Sequence, residues 1–122
     1  MALYHLTVSQ IRRSAGQSAI AAAAYRAGEC LYSDYYGEYS DYTRKGGHVE
    51  TILIGADDIS ELWNKAELAE TRKNSTVARE LMLPLPDQWT DNERRECVRD
   101  IAQHLRDTYG VAAAGSIHAA NR

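Results

Sequence analysis

The sequence predicts a single α+β domain in which helices cover one face of a central, mostly antiparallel β-sheet. Three observations support this class. Strand-like and helix-like segments alternate along the chain, capping or turn residues bound most of them, and the chain contains neither repeats nor an internal linker. A length of 122 residues suits one domain with its own hydrophobic core and is too short for two.

The predicted elements follow the order β-α-β-β-β-α-β-α-β. Residues 2–9 alternate as a strand, and residues 18–28 form an alanine-rich helix, with Ser14 and Gln17 at capping-box spacing and Gly28 at its end. The later elements are a hairpin over residues 31–42, a strand over 49–54, a helix capped by Asp58, a strand over 76–83, a helix between Thr90 and Gly110, and a strand over 111–120.

Charge is distributed unevenly along the chain. The formal net charge of −3 by itself disfavours a general nucleic-acid-binding protein. Residues 1–28, however, contain Arg12, Arg13 and Arg26 and no acidic residue, which gives a local charge of +3. The remaining residues contain 11 basic and 17 acidic side chains, a local charge of −6. The first quarter of the chain is therefore a candidate for contact with nucleic acid.

Cysteine usage and hydropathy predict a cytoplasmic protein. Cys30 and Cys97 are too few for a disulfide framework, which favours a reducing compartment. No apolar stretch approaches the roughly 18 residues of a membrane helix. Residues 1–7 lack the basic start and the long apolar run of a signal peptide. We therefore expect neither a membrane segment nor a secretory signal.

Tyr25 is the first candidate for chemistry, because it lies near the end of the alanine-rich helix, beside Arg26, in the acid-free region. A tyrosyl oxygen can attack phosphorus when cations offset the charge that develops. An aromatic residue among alanines can also fill a gap between helix and sheet, and position alone favours this packing role.

Glu80 and His118 are two further candidates, each within a predicted strand. Glu80 shares a strand face with Ala78 and Met82, where a carboxylate costs free energy unless it is paired; a solvated face of an edge strand explains it equally well. His118 lies in the last strand, where an imidazole can reach a metal or a phosphate. A metal site needs three or four ligands, so a lone histidine is more simply a buried residue with a hydrogen-bond partner.

Several short motifs resemble those of the MobA/MobL relaxases of mobilisable and conjugative plasmids. They occur in the family's order, with similar spacing, over essentially the whole chain, and although each is weak, together they are specific. They are residues 2–6 (ALYHL), 16–19 (GQSA), 24–26 (AYR), 41–45 (DYTRK), 62–64 (LWN), 72–80 (RKNSTVARE), 83–86 (LPLP) and 117–118 (IH).

This resemblance implies the HUH-endonuclease fold and site-specific nicking of one DNA strand at an origin of transfer. In such enzymes a tyrosine attacks the scissile phosphate, retains the 5′ end covalently and releases a 3′ hydroxyl. Tyr25 is similar in position to this nucleophile, and His118 to the first of three histidines that hold a divalent cation, Mn or Mg. Glu80 is similar to a family carboxylate near the metal, which orients a histidine or assists proton removal from the tyrosine.

One departure from the family pattern concerns the metal ligands. The family's other two histidines form a His-x-His pair shortly after the first, whereas this sequence ends four residues after His118 and contains no His-x-His. We therefore expect residues 1–122 to be the N-terminal portion of a nicking domain, truncated at its C-terminus and weak in metal binding.

The expected partners are single-stranded origin-of-transfer DNA and accessory relaxosome proteins. Five basic residues are expected to contact the DNA: Arg12, Arg13 and Arg26 near Tyr25, and Arg44 and Lys45 as an extension of this track.

Two alternative functions stay open. The first is a rolling-circle replication initiator, although such proteins usually place the tyrosine after the histidine motif, whereas Tyr25 precedes His118. The second is a nucleic-acid-binding domain that keeps the scaffold and has lost catalysis.

Overall fold

The computed structural model describes residues 7–70 and 75–118, and the predicted order of strands and helices is confirmed there. The strands are β1 (Thr7–Arg12), β2 (Cys30–Ser33), β3 (Glu38–Asp41), β4 (His48–Ile54), β5 (Thr76–Met82) and β6 (Ala113–His118). The α-helices are α1 (Ala19–Ala27), α2 (Ile59–Ala69) and α3 (Asp91–Tyr109), and a short 3-10 helix spans Arg13–Ala15. The predicted strand segments at residues 2–6 and 119–120 lie outside the described residues.

All described strand pairs are antiparallel, which confirms the α+β class and the antiparallel pairing. β1 pairs with β5, β2 with β3, and β4 with β6. Within residues 7–70 and 75–118, no ladder of hydrogen bonds joins one pair to the next. Helix α3 packs on the β4–β6 pair, and α1 and α2 pack against each other and against β2. No helix in this part of the chain combines the length and apolarity needed to cross a bilayer.

Helix α1 is capped at both ends, but not by the predicted capping box. Ser18 is the N-cap, and its Oγ accepts a hydrogen bond from the main-chain N–H three residues on, at 3.1 Å. The box of Ser14 and Gln17 is wrong: Ser14 lies in the 3-10 helix, and Gln17 Oε1 accepts from the main-chain N–H of Arg12 at 2.8 Å. Gly28 ends the helix with a φ of 65°, a left-handed conformation that favours glycine.

The small side chains of α1 allow its neighbours to approach closely. Ile20 and Ala24 are fully buried, and Leu31 of β2 packs beside them. Ile59 and Trp63 of α2 cover this cluster from the other side. Alanine combines high helix propensity with little volume, so α1 can be stable and still pack closely against α2.

A buried carboxylate fixes the start of α1. The side chain of Glu67, on α2, is 1% exposed. Its Oε1 accepts hydrogen bonds from Ser18 Oγ at 2.9 Å and from the main-chain N–H of Ile20 at 2.8 Å, and its Oε2 accepts from Ser33 Oγ at 3.2 Å. Because these donors come from the start of α1 and from β2, Glu67 joins three elements.

Helix α3 lies unusually close to β6 at one glycine. A Cβ added to Gly115 would lie 2.3 Å from Val98 Cγ1, far inside contact distance. A side chain at this position would force Val98 to shift, and the close approach lets α3 cover the β4–β6 pair.

Candidate active site at the end of helix α1

Tyr25 lies in the last turn of α1, and its side chain is 42% exposed. Its ring meets the ring of Tyr42 edge to face, with centroids 5.2 Å apart and planes at 86°. Both rings border an open groove of about 320 Å³, which is also lined by Gln17 and Glu80. Tyr25 is thus half-exposed at a groove. A packing role would instead require its side chain to be buried in the core.

Two cations flank the Tyr25 ring. Lys45 Nζ lies 4.2 Å from the ring centroid, and the guanidinium carbon of Arg26 lies 5.3 Å from it. Both distances fall within the range of a cation–π interaction. Lys45 Nζ also donates a hydrogen bond to the main-chain oxygen of Tyr25 at 3.0 Å.

Glu80 is paired with Arg26. Arg26 Nε donates to Glu80 Oε2 at 2.9 Å, and the two side chains are 37% and 23% exposed respectively. The carboxylate therefore has the partner that a half-buried position on β5 requires. Its pairing brings it to the groove that Tyr25 borders.

His118 reaches the same helix end from β6. Its Nε2 donates a hydrogen bond to the main-chain oxygen of Arg26. The side chain is exposed, so the interpretation of His118 as a buried histidine is wrong. Arg26 thus contacts Glu80 through its side chain and His118 through its carbonyl, and the three predicted site residues, Tyr25, Glu80 and His118, meet at residues 25 and 26.

The described residues do not make up a metal site. Among the side chains that the structure describes, which exclude those at positions 7, 8, 48 and 49, no three or more of His, Cys, Asp or Glu come together in a group that could hold a metal ion. His118 supplies one imidazole, whereas a tight site needs three or four ligands.

Arg13, predicted to contact phosphate, is bound into the fold. Its Nη1 donates to the main-chain oxygen of Glu70 at 2.5 Å and its Nη2 to that of Glu67 at 2.6 Å. The guanidinium also lies 3.9 Å from the ring centroid of Tyr35. These contacts satisfy carbonyls at the end of α2 and argue against a phosphate-binding role for Arg13.

The other predicted basic residues differ in how they are held. Arg12 is exposed, and its Nε donates to Gln10 Oε1 at 2.7 Å. Arg44 is exposed and borders a surface depression together with Asp41 and Lys45. Among the described basic residues, Lys45 and Arg26 lie against the Tyr25 ring, and Arg44 is the neighbour of Lys45 in sequence.

The turn that carries Lys45 is stabilised by a carboxylate. Asp41 Oδ1 accepts hydrogen bonds from the main-chain N–H and the hydroxyl of Thr43, at 3.0 and 2.7 Å. These two bonds, the main-chain one first, hold the pKa of Asp41 below its usual value.

Sequence reasoning missed two contributions to this region. Nothing in the sequence around Tyr42 indicates that its ring packs on the ring of Tyr25. Glu67 had a usable signal: it lies four residues after Trp63, on the apolar face of α2, where an unpaired carboxylate is unfavourable.

Comparison with known proteins identifies the family of this chain. The model of the MobA/MobL family matches residues 17–122. The chain belongs to the MobA/MobL family. Among MobA/MobL relatives, the mobilization protein MobL of Acidithiobacillus ferridurans is 44% identical over 123 residues, covering 98% of this chain and 32% of that protein. The probable mobilization protein MobA of Bifidobacterium longum is 33% identical over 125 residues, covering 97% and 22%.

A solved structure from work on the molecular basis of vancomycin resistance transfer in Staphylococcus aureus has the same fold as this MobA/MobL chain. The TM-score is 0.87 with 30% sequence identity, over 99% of this chain and 65% of that one. The chain thus spans about a third or less of the two mobilization proteins and about two thirds of the solved chain.

Proposed function

We propose that this chain acts in plasmid mobilisation as the part of a DNA relaxase that carries the nucleophile, Tyr25. Membership of the MobA/MobL family and the names of its relatives support the mobilisation role. The observation that carries the chemical proposal is the grouping at the end of α1. There an exposed tyrosine lies between Lys45 and Arg26, and both Glu80 and His118 bind Arg26.

In the proposed reaction, Tyr25 Oη attacks a phosphorus atom of single-stranded DNA. A bond forms between Oη and phosphorus, the bond to the 3′ oxygen breaks, and that oxygen leaves as a hydroxyl after gaining a proton. The 5′ end stays attached as a phosphotyrosine. Glu80 lines the same groove as Tyr25, so its carboxylate can take the phenolic proton directly or through a water molecule.

The cations at this site match the charge requirements of the reaction. Negative charge accumulates on the phosphate oxygens and on the phenolic oxygen as the bond forms. Arg26 and Lys45 lie close enough to the Tyr25 ring to offset this charge. Arg44, which is exposed next to Lys45, adds a phosphate contact. Accessory relaxosome proteins remain predicted partners.

The test is a search for a covalent protein–DNA adduct. The complete gene product is incubated with Mn²⁺ and with single-stranded DNA tiled from the replicon that carries the gene. Adducts are separated on denaturing gels, and the modified peptide is identified by mass spectrometry. We expect an adduct on Tyr25, none with Tyr25→Phe, and a normal yield with Tyr109→Phe, a matched control in which the tyrosine is 68% exposed on α3.

The other outcomes separate the alternatives. An adduct that persists in Tyr25→Phe contradicts the assigned nucleophile. An adduct formed on a replication origin rather than a transfer origin favours the rolling-circle initiator. Binding of single-stranded DNA without any adduct favours a non-catalytic nucleic-acid-binding domain.

A further inference from the structure

The end of α1 presents main-chain oxygens that the helix itself cannot satisfy, as every helix C-terminus does. Two of them are taken by side chains from distant segments. Lys45 Nζ donates to the oxygen of Tyr25 at 3.0 Å, and His118 Nε2 donates to that of Arg26. A cation at this end also interacts favourably with the helix dipole. Lys45 is therefore bound where charge and hydrogen bonding both favour it.

Lys45 contacts Tyr25 twice. Besides its bond to the main-chain oxygen, its ammonium lies 4.2 Å from the centroid of the Tyr25 ring. Tyr42 meets the same ring edge to face, and Tyr42 and Lys45 belong to one turn. That turn therefore holds both the main chain and the ring of Tyr25.

The turn is itself anchored, so Lys45 is not a freely moving surface lysine. The main-chain N–H of Tyr42 donates to the oxygen of Glu29 at 3.1 Å, and that of Lys45 donates to the oxygen of Tyr42 at 3.1 Å. Asp41 holds Thr43 through the two hydrogen bonds described above. Lys45 is half-buried, whereas its neighbour Arg44 is exposed.

We propose that Lys45 is a positioning residue for Tyr25 rather than primarily a phosphate contact. The proposal rests on the function proposed above. Lys45 restricts the direction of the phenol and keeps a positive charge over the ring whose oxygen gains negative charge during attack. The sequence predicted Lys45 as part of a DNA-binding track, but the contacts join it to the nucleophile.

Two measured quantities, a rate and an apparent Kd, separate a positioning residue from a phosphate contact. A positioning residue changes the rate of adduct formation when DNA is saturating, whereas a phosphate contact changes the apparent Kd and its dependence on salt. Both are measured with the complete gene product under single-turnover conditions, across a range of DNA and salt concentrations.

Three variants make this comparison. Lys45→Met keeps the length of the side chain but removes its charge and its hydrogen-bond donor, and Lys45→Arg keeps a cation and a donor. Lys65→Met is a control, in which the exposed lysine pairs with Glu61 of the same helix. We expect Lys45→Met to slow saturated adduct formation by about tenfold with little change in Kd. Lys45→Arg should recover most of the rate, and Lys65→Met should change neither quantity.

Nuclear Overhauser contacts in the DNA-free protein test the geometry independently of catalysis. We expect contacts from the Tyr25 ring protons to the Lys45 side-chain methylenes and to the Tyr42 ring. Their absence overturns the inference whether or not an adduct forms. The inference is also overturned if the contacts are present and wild type forms an adduct, but Lys45→Met raises the apparent Kd and leaves the saturated rate unchanged. Their presence without an adduct in wild type contradicts the proposed function, and with it the positioning role.

Discussion

Arg26 Nε lies 2.9 Å from Glu80 Oε2, and this ion pair joins the end of α1 to β5 across 54 residues of sequence. Both side chains are partly shielded from solvent, at 37% and 23% exposure. The pair fixes the direction of a carboxylate beside Tyr25 and orders the guanidinium next to the phenol ring.

Glu80→Gln is expected to affect the reaction more than the fold. Breaking a partly exposed pair should lower the free energy of unfolding by about 1 kcal/mol or less. Adduct formation should slow far more, because an amide cannot accept the phenolic proton. Urea denaturation and single-turnover assays measure the two effects. Glu61→Gln, which breaks the exposed pair with Lys65, is the control, and an unchanged rate in Glu80→Gln would exclude a role as base.

Glu67→Ala is expected to destabilise the protein by about 3 kcal/mol, measured by urea denaturation. The substitution leaves the hydroxyls of Ser18 and Ser33 and the N–H of Ile20 without their buried acceptor. Glu96→Ala, at an exposed position on α3, should stay within about 0.5 kcal/mol of wild type. If Glu67→Ala lowers the free energy of unfolding no more than Glu96→Ala does, the buried hydrogen bonds contribute little.

Gly115→Ala is expected to lower the free energy of unfolding by about 1–3 kcal/mol, because the new methyl group overlaps Val98. Val98→Ala removes the overlapping Cγ1 atom and is the second half of a double-mutant cycle. The double variant should be more stable than the sum of the single effects predicts. Simple additivity in thermal or urea unfolding would contradict this close contact between α3 and β6.

Asp41 should give the protein an acid-dependent contribution to stability. Hydrogen bonds from Thr43 lower the pKa of the folded carboxyl below its unfolded value of about 3.9, so the contribution is fully present above about pH 4. It is lost as the pH falls through the lowered pKa. The stability difference between wild type and Asp41→Asn should therefore be constant near neutral pH and shrink in acid. Urea titrations at a series of pH values measure this, and a difference that is independent of pH contradicts the assignment.

Metal binding by the 122-residue chain is expected to be weak. His118 is one imidazole donor where a tight site needs three or four ligands. Isothermal titration with Mn²⁺ measures the affinity, with His118→Ala as the comparison. A tight stoichiometric site that His118→Ala abolishes would contradict this expectation.

The helix caps were the part of the fold that local sequence predicted best. Asp58 and Thr90 both accept from the main-chain N–H three residues on, and Gly110 ends α3 in a left-handed conformation, all as predicted. A cap depends on a few adjacent residues, so its signal is local. Ser14 and Gln17 have the spacing of a capping box, but this prediction is wrong. Ser18 lies closer to the alanine run and makes the actual cap.

The candidate site was predictable as a set of residues but not as an arrangement. The sequence predicts Tyr25, Glu80 and His118 from three separate segments. Glu80 and His118 both contact Arg26, the neighbour of Tyr25, which the sequence predicts only as a phosphate contact. No periodicity within one segment can encode a contact between two segments far apart. Arg13 shows the converse. Its charge predicts a contact with DNA, whereas its hydrogen-bond partners are the main-chain oxygens of Glu67 and Glu70.

The contacts at the end of α1 have a consequence for the order in which the site assembles during synthesis. Lys45 lies 20 residues from Tyr25, Glu80 lies 54 residues from Arg26, and His118 lies 92 residues from Arg26. Closing a longer loop costs more entropy, and segments made later leave the ribosome later. During synthesis the turn that carries Lys45 therefore becomes available to Tyr25 first, β5 next and β6 last. A nascent chain carries Tyr25 long before it carries Glu80 and His118.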